Sequence, residues 1–173
     1  MQSLKDRLIE ILPKDSIGRY DLLPIFGCTE LFSDIIDFLS TPYFERVDYV
    51  VAPEAIGWVI GSAIAKKLEV GFIPIRKLGK LPYPQNLLLA QSYVDYSGKT
   101  KSLEIKRNCV GSGSRILIVD EWVETGATLN CCIDLLKNLD CITVGLATIG
   151  INTCSGTKDW IDNGLITFIG KDM

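Results

Sequence analysis

The stretch that decides the fold is Ile116-Leu117-Ile118-Val119-Asp120-Glu121-Trp122-Val123-Glu124-Thr125-Gly126-Ala127-Thr128. Four consecutive apolar residues read as a strand buried on both faces, which is the signature of a parallel sheet covered by helices. The strand ends on two carboxylates, and Thr125-Gly126-Ala127-Thr128 then opens a helix whose apolar face is Leu129, Ile133, Leu136 and Leu139. The first turn of a helix has free backbone N–H groups, and with the Thr125 and Thr128 hydroxyls these can cradle a phosphate monoester. Gly126 lets the main chain approach that anion closely. Asp120 and Glu121 are placed to accept hydrogen bonds from vicinal hydroxyls. A phosphate cradle beside an acid pair is the chemistry of a ribose 5-phosphate site.

Working outward, the same strand, loop, helix order recurs. Residues 47–52 form a valine-rich strand that ends in Pro53-Glu54-Ala55-Ile56-Gly57, and a helix with Ile60, Ala63, Ile64 and Leu68 inward follows. Residues 70–75 form a strand that runs into the basic segment Arg76-Lys77-Leu78-Gly79-Lys80. Residues 142–151 and 165–169 read as further strands, with Trp160 and Ile161 on a short helix between them. Alternating strands and helices predict an α/β fold with a largely parallel central sheet flanked by helices. In such sheets ligands sit at the carboxyl ends of the strands, where all three loops lie.

Two segments stand apart from this core. Leu4, Leu8, Ile9 and Leu12 predict a first amphipathic helix closed by Pro13; Thr29 is the expected N-cap of a second, with Phe32, Ile35, Ile36 and Leu39 on one face. Together they suggest a small hood over residues 1–45, on a core of residues 46–173. Residues 91–109 contain two short strand-like pieces, 92–96 and 102–105, and predict a projecting flexible hairpin of the kind that covers a site.

Composition narrows the chemistry. At 173 residues and 47% hydrophobic content the chain is expected to be one domain with one core. A net charge of −3, without long like-charge runs, argues against a nucleic-acid partner. Lys5, Asp6, Arg7 and Glu10 break up the N-terminus, and no run approaches the roughly 20 apolar residues of a membrane span, so a soluble, cytoplasmic protein is expected. There is no histidine, which removes the commonest general base and zinc ligand. The six cysteines lack C-x-x-C spacing and read as free thiols.

The Asp120 to Thr128 run resembles the motif with which type I phosphoribosyltransferases bind 5-phosphoribosyl pyrophosphate (PRPP). Residues 50–58 look like that family's pyrophosphate loop, and residues 70–82 are similar, almost residue for residue, to the segment that follows it in the adenine-using branch. Ser102-Leu103-Glu104-Ile105 resembles the end of the family's flexible catalytic loop. The resemblance implies transfer of a phosphoribosyl group from PRPP to a purine, adenine in the closest branch, with release of pyrophosphate. Ribose and phosphate would be held by Asp120, Glu121, Glu124, Thr125, Gly126, Ala127 and Thr128. Pyrophosphate would lie on Glu54, Ala55, Ile56, Gly57, Arg76, Lys77 and Lys80. Magnesium would be held mainly by PRPP, with Asp120 as the candidate protein ligand, and the resemblance implies a homodimer.

Four positions depart from the family pattern. Ile56 stands where the pyrophosphate loop usually has Arg, removing a planar charged donor. Arg19 falls where a Phe stacks on adenine, which leaves Arg19, Tyr20 and Phe26 as the candidate base contacts. Asp95 takes the place of the flexible loop's catalytic Glu. Glu124 takes a place that is Ala in adenine enzymes and an acid in hypoxanthine-guanine enzymes, so it is a second candidate catalytic group, a general base toward a purine nitrogen. These departures keep two alternatives open: another acceptor such as a 6-oxopurine, and a catalytically weak PRPP- or nucleotide-binding regulator.

Overall fold

Successive side chains of a strand point to opposite faces, so an uninterrupted apolar strand needs cover on both. The computed structural model, which describes residues 2–13 and 20–173, shows this for the strand that carries the acid pair. In β5 (Arg115–Val123), Leu117 and Val119 join one core cluster while Ile116 and Ile118 join the other. Strand β1 (Tyr49–Pro53) divides the same way, Val50 and Ala52 against Val51.

The first cluster packs β1 and β5 against α1 (Leu4–Ile11), α2 (Leu23–Gly27), α3 (Thr29–Ser40) and α4 (Ile56–Leu68). Ile35 and Leu39 of α3 are fully buried there, each contributing about 1.5–3 kcal/mol of apolar transfer. The second cluster lies under α5 (Ala127–Lys137) and α6 (Lys158–Asp162).

With β2 (Gly71–Lys77), β3 (Leu88–Val94), β4 (Thr100–Lys106), β6 (Ile142–Ile151) and β7 (Ile166–Lys171), the described residues form one seven-stranded sheet in the order β3-β4-β2-β1-β5-β6-β7. Strand β1 pairs in parallel with both β2 and β5, and the parallel pairing continues through β6 to β7. From β1 the chain winds one way to β2 and the other way to β5. The crevice between the carboxyl ends of β1 and β5 is therefore a topological switch point, where open α/β sheets bind ligands.

Several sequence expectations are adjusted. The hairpin strands are longer than expected and antiparallel, and β4 pairs with β2 at Arg76↔Glu104 and Lys77↔Leu103, so the base of the hairpin continues the sheet. Thr29 is the first residue of α3 rather than its cap; Cys28 occupies the cap position without a side-chain hydrogen bond. The short α2, begun by Leu23 and Pro24, was not apparent from periodicity because five residues make barely one turn. Arg19 lies outside the described residues. Among those described, no helix is long and apolar enough to cross a membrane.

Candidate active site

A cleft of about 840 Å³ opens at the switch point. Its floor is the Asp120 to Leu129 run, one wall comes from Pro53, Glu54, Ile56 and Lys77, and the hood closes another with Tyr20, Leu22, Leu23 and Phe26. The hairpin hangs Tyr93, Tyr96 and Lys101 over it, and Asn152 and Met173 complete the rim.

The cradle is built by close packing beneath it. Gly126 has φ +80°, a left-handed conformation that costs an L side chain about 1–2 kcal/mol. A Cβ there would also meet the Gly156 carbonyl oxygen and the Trp160 ring at 2.9 Å. The glycine at the start of α5 is thus dictated by what lies behind it. Tyr93 reaches down from the hairpin, with its hydroxyl 3.5 Å from Thr128 Oγ1. Burial raises the Tyr93 phenol above its ordinary pKa, and the Thr128 contact opposes that only in part.

Asp120 is buried, 8% exposed, and its Oδ1 accepts the Glu121 amide at 3.0 Å. Burial pushes its carboxyl well above the usual carboxylate range, and the adjoining Glu121 carboxylate pushes the same way. Glu121 is half-exposed and faces the cleft. Two acids held side by side, one of them poorly solvated, form a site that gains from hydroxyl donors or from a cation.

On the opposite wall the charges are already engaged with one another. Glu54 accepts the Lys77 amide at 2.7 Å and pairs with Arg76 Nε at 3.2 Å. Arg76 also donates to the Lys80 carbonyl at 3.0 Å, and its guanidinium lies 5.3 Å from the Trp58 ring centroid. Arg76 is therefore a brace for this wall and does not line the cleft. Ala55, Gly57 and Lys80 do not line it either, whereas Glu54, Ile56 and Lys77 do. Buried Glu104 accepts the Lys80 and Leu81 amides at 2.8 and 2.6 Å, fixing the loop that follows.

Asp95 also lies off the cleft. Its carboxylate pairs with Lys101 at 2.5 Å and accepts the Ser97 hydroxyl, Ser97 amide and Lys99 amide at 2.7, 2.8 and 3.1 Å. Lys101 first, then Ser97, holds that carboxyl far below the usual carboxylate range. The side chain is the fastening of the hairpin turn. Glu124, in contrast, is exposed at the rim and accepts a short hydrogen bond from Asn152 Nδ2.

Periodicity could not reveal Trp122, which lines the cleft and packs its ring on Tyr20 with centroids 4.8 Å apart and planes tilted by 33°. A Trp between two acids at a strand end was the available signal. Phe26 meets Phe32 edge to face at 5.8 Å and presents its other side to the cleft.

Residues 22–163 match the family described as phosphoribosyl transferase domain. The chain is 38% identical over 136 residues to the adenine phosphoribosyltransferase of Neisseria meningitidis serogroup C, covering 78% of this chain and 70% of that protein. It is 36% identical over 160 residues to the adenine phosphoribosyltransferase of Brachyspira hyodysenteriae, covering 90% and 92%. The crystal structure of adenine phosphoribosyltransferase from Thermoanaerobacter pseudethanolicus superposes with a TM-score of 0.84 at 29% identity, over 96% of this chain and 99% of that one.

Proposed function

Because this chain belongs to the phosphoribosyl transferase family, we propose that it transfers the 5-phosphoribosyl group of PRPP to adenine, giving AMP and pyrophosphate. The observation that carries the reading is that the Asp120-Glu121 pair and the Thr125 to Thr128 cradle share one cleft with an aromatic pair, Tyr20 and Trp122. Sugar, phosphate and planar base would each meet the chemistry they need.

In this reading the 5-phosphate sits on the first turn of α5, between the Thr125 and Thr128 hydroxyls. Asp120 and Glu121 accept from the ribose hydroxyls. As the bond to pyrophosphate breaks, positive charge grows on the ribose carbon, and carboxylates below the ring stabilise it more than they stabilise PRPP. The pyrophosphate leaves along the wall that Glu54, Ile56 and Lys77 line, where Lys77 and the main-chain amides at the start of α4 would hold it. Arg76 keeps that wall in shape, and Lys80 faces outward, in keeping with a role across a homodimer interface. Trp122, Tyr20 and Phe26 line the side where the base would lie, and Glu124 at the rim is the candidate general base toward a purine nitrogen. Asp95 serves by holding the hairpin, which delivers Tyr93, Tyr96 and Lys101.

Among the described residues no three Asp, Glu, Cys or His side chains converge on one point. The donors present, a pair of hard carboxylate oxygens, suit a magnesium ion that takes most of its ligands from PRPP, with Asp120 or Glu121 beside it. When bound it would offset the charge of the leaving pyrophosphate. A cytoplasmic location accords with this use of PRPP.

Ile56 favours a second reading, a binding protein that has lost turnover, because it puts an apolar side chain on the pyrophosphate wall. A pyrophosphate-release assay over purine and pyrimidine bases, with PRPP, magnesium and an Asp120→Asn control, decides between them. Release with adenine that is lost in the control is expected. PRPP binding by calorimetry without release from any base would replace the enzyme by the binding protein.

A further inference from the structure

The face that the hairpin turns toward α5 changes character along its length. Opposite side chains of an antiparallel pair share one face, so Leu89↔Ile105, Gln91↔Leu103 and Tyr93↔Lys101 follow one another along the inward side. Leu103 and Ile105 are buried in the core beneath α5, whereas Tyr93 is half-buried and lines the cleft with Lys101. Two contacts fix the level of these pairs on the helix. Cys131 Sγ lies 3.5 Å from the Gln91 carbonyl oxygen, and about one turn earlier in α5 the Thr128 hydroxyl lies 3.5 Å from that of Tyr93. The inward face therefore becomes polar where it passes the first turn of α5, and Lys101 stands beside Tyr93 at that level.

A cation there answers a shortage of positive charge. Asp21, Glu54, Asp120, Glu121 and Glu124 all line the cleft, and among the described residues the only cations lining it are Lys77, on the Glu54 wall, and Lys101. The cradle itself offers only neutral donors, main-chain amides and the Thr125 and Thr128 hydroxyls. The Lys101 ammonium has three N–H groups and gives one to Asp95, at 2.5 Å, and 45% of its side chain stays exposed. Asp95 is fixed in turn by the Ser97 and Lys99 donors, so it anchors the ammonium while two N–H groups remain to be used. We propose that Lys101, with the Tyr93 hydroxyl beside it, binds the 5-phosphate from the hairpin side and closes the Thr125 to Thr128 cradle. The phosphate is then held between the first turn of α5 and the hairpin, by a charge that lies outside the run following β5. The inference rests on the phosphoribosyltransferase reading and adds to it a ligand for one of its two phosphate groups.

The test is calorimetric binding of ribose 5-phosphate and, separately, of pyrophosphate with magnesium to the full chain. Lys101→Met keeps the apolar stem and removes the charge, whereas Lys101→Arg keeps the charge. Lys101→Met is expected to weaken ribose 5-phosphate binding about tenfold or more and to leave pyrophosphate binding within about twofold of wild type. Lys101→Arg should stay within about threefold for both ligands. Tyr93→Phe keeps the ring on α5 and should weaken ribose 5-phosphate binding about threefold. Melting temperatures identify a variant that has lost its fold, and Tyr93→Phe carries the comparison if Lys101→Met is that variant. Unchanged ribose 5-phosphate affinity in the folded variants, an equal loss for both ligands, or a loss confined to pyrophosphate overturns the assignment of Lys101. A wild type that binds ribose 5-phosphate through Lys101 but releases no pyrophosphate from PRPP overturns the reaction alone. Failure of the wild type to bind ribose 5-phosphate overturns both.

Discussion

A Cβ on Gly57 would lie 3.1 Å from Oδ1 of Asp120. The second residue of α4 is thus the neighbour that sets where the acid pair can sit. The same Cβ would stand 3.4 Å from the Val119 carbonyl oxygen and 3.5 Å from Pro53 Cδ, so the carboxylate is the group that must move. Gly57→Ala is expected to cost about 1–3 kcal/mol of stability through overpacking and to raise the KM for PRPP about tenfold. Thermal melting and pyrophosphate release measure the two effects.

Asp120 is expected to trade stability for function. Its folded pKa is raised by burial and by Glu121, so over the range from about 3.8 upward the unfolded chain ionises while the folded chain retains the proton. The folded state then binds more protons, and stability falls as pH rises through that window. Asp120→Asn keeps the shape and removes the titration. It should flatten this fall and raise the melting temperature at pH 7, by about 2–4 °C for each kcal/mol relieved, while abolishing phosphoribosyl transfer. Melting curves from pH 4 to pH 8 check the sign.

The opposite dependence is expected at Asp95. Its folded pKa is lowered, chiefly by Lys101, so the stabilisation it provides is present at neutral pH and lost on acidification below about pH 4. Asp95→Asn should accelerate hydrogen exchange at the Ser97 and Lys99 amides, which its carboxylate accepts. Unchanged exchange at those amides would remove its role as the fastening of the turn.

Restoring a cation at the pyrophosphate wall should tighten PRPP binding. Ile56 opens α4, is half-buried and lines the cleft. Ile56→Arg is expected to lower the KM for PRPP about tenfold, the scale of one charge-assisted hydrogen bond of about 1.5 kcal/mol. Kinetics at fixed base concentration measure it.

Three tryptophans are available as reporters, but only Trp122 lines the cleft. Adenine or AMP is expected to quench the fluorescence of the wild type, and most of that quenching should vanish in Trp122→Phe while Trp58 and Trp160 continue to emit. Quenching that survives the substitution would move the base away from the Tyr20 and Trp122 rings.

The strands, the main helices and the cradle were legible in the sequence because their causes are local. Four apolar residues in a row can be satisfied only between two covering layers, and a Thr-Gly-Ala-Thr run after a strand can do little but open a helix with free amides. The destinations of the long charged side chains were not legible. The resemblance gives Arg76 to pyrophosphate and Asp95 to catalysis, and in the fold Arg76 pairs with Glu54 and Asp95 with Lys101. A guanidinium or carboxylate binds whatever partner the sheet register brings within reach, and β2 and the hairpin bring those partners first.

The rim shows the same division at longer range. Trp122 meets Tyr20 from 102 positions away, and Glu124 meets Asn152 across 28. No spacing along the chain encodes either contact. The sequence by itself determined that a phosphorylated sugar can be held at the end of β5, since strand, acids and helix start follow one another there. Only the tertiary structure decided what surrounds it, because the walls come from β1, the hood, the hairpin and the end of β6, and their directions are set by packing on the sheet.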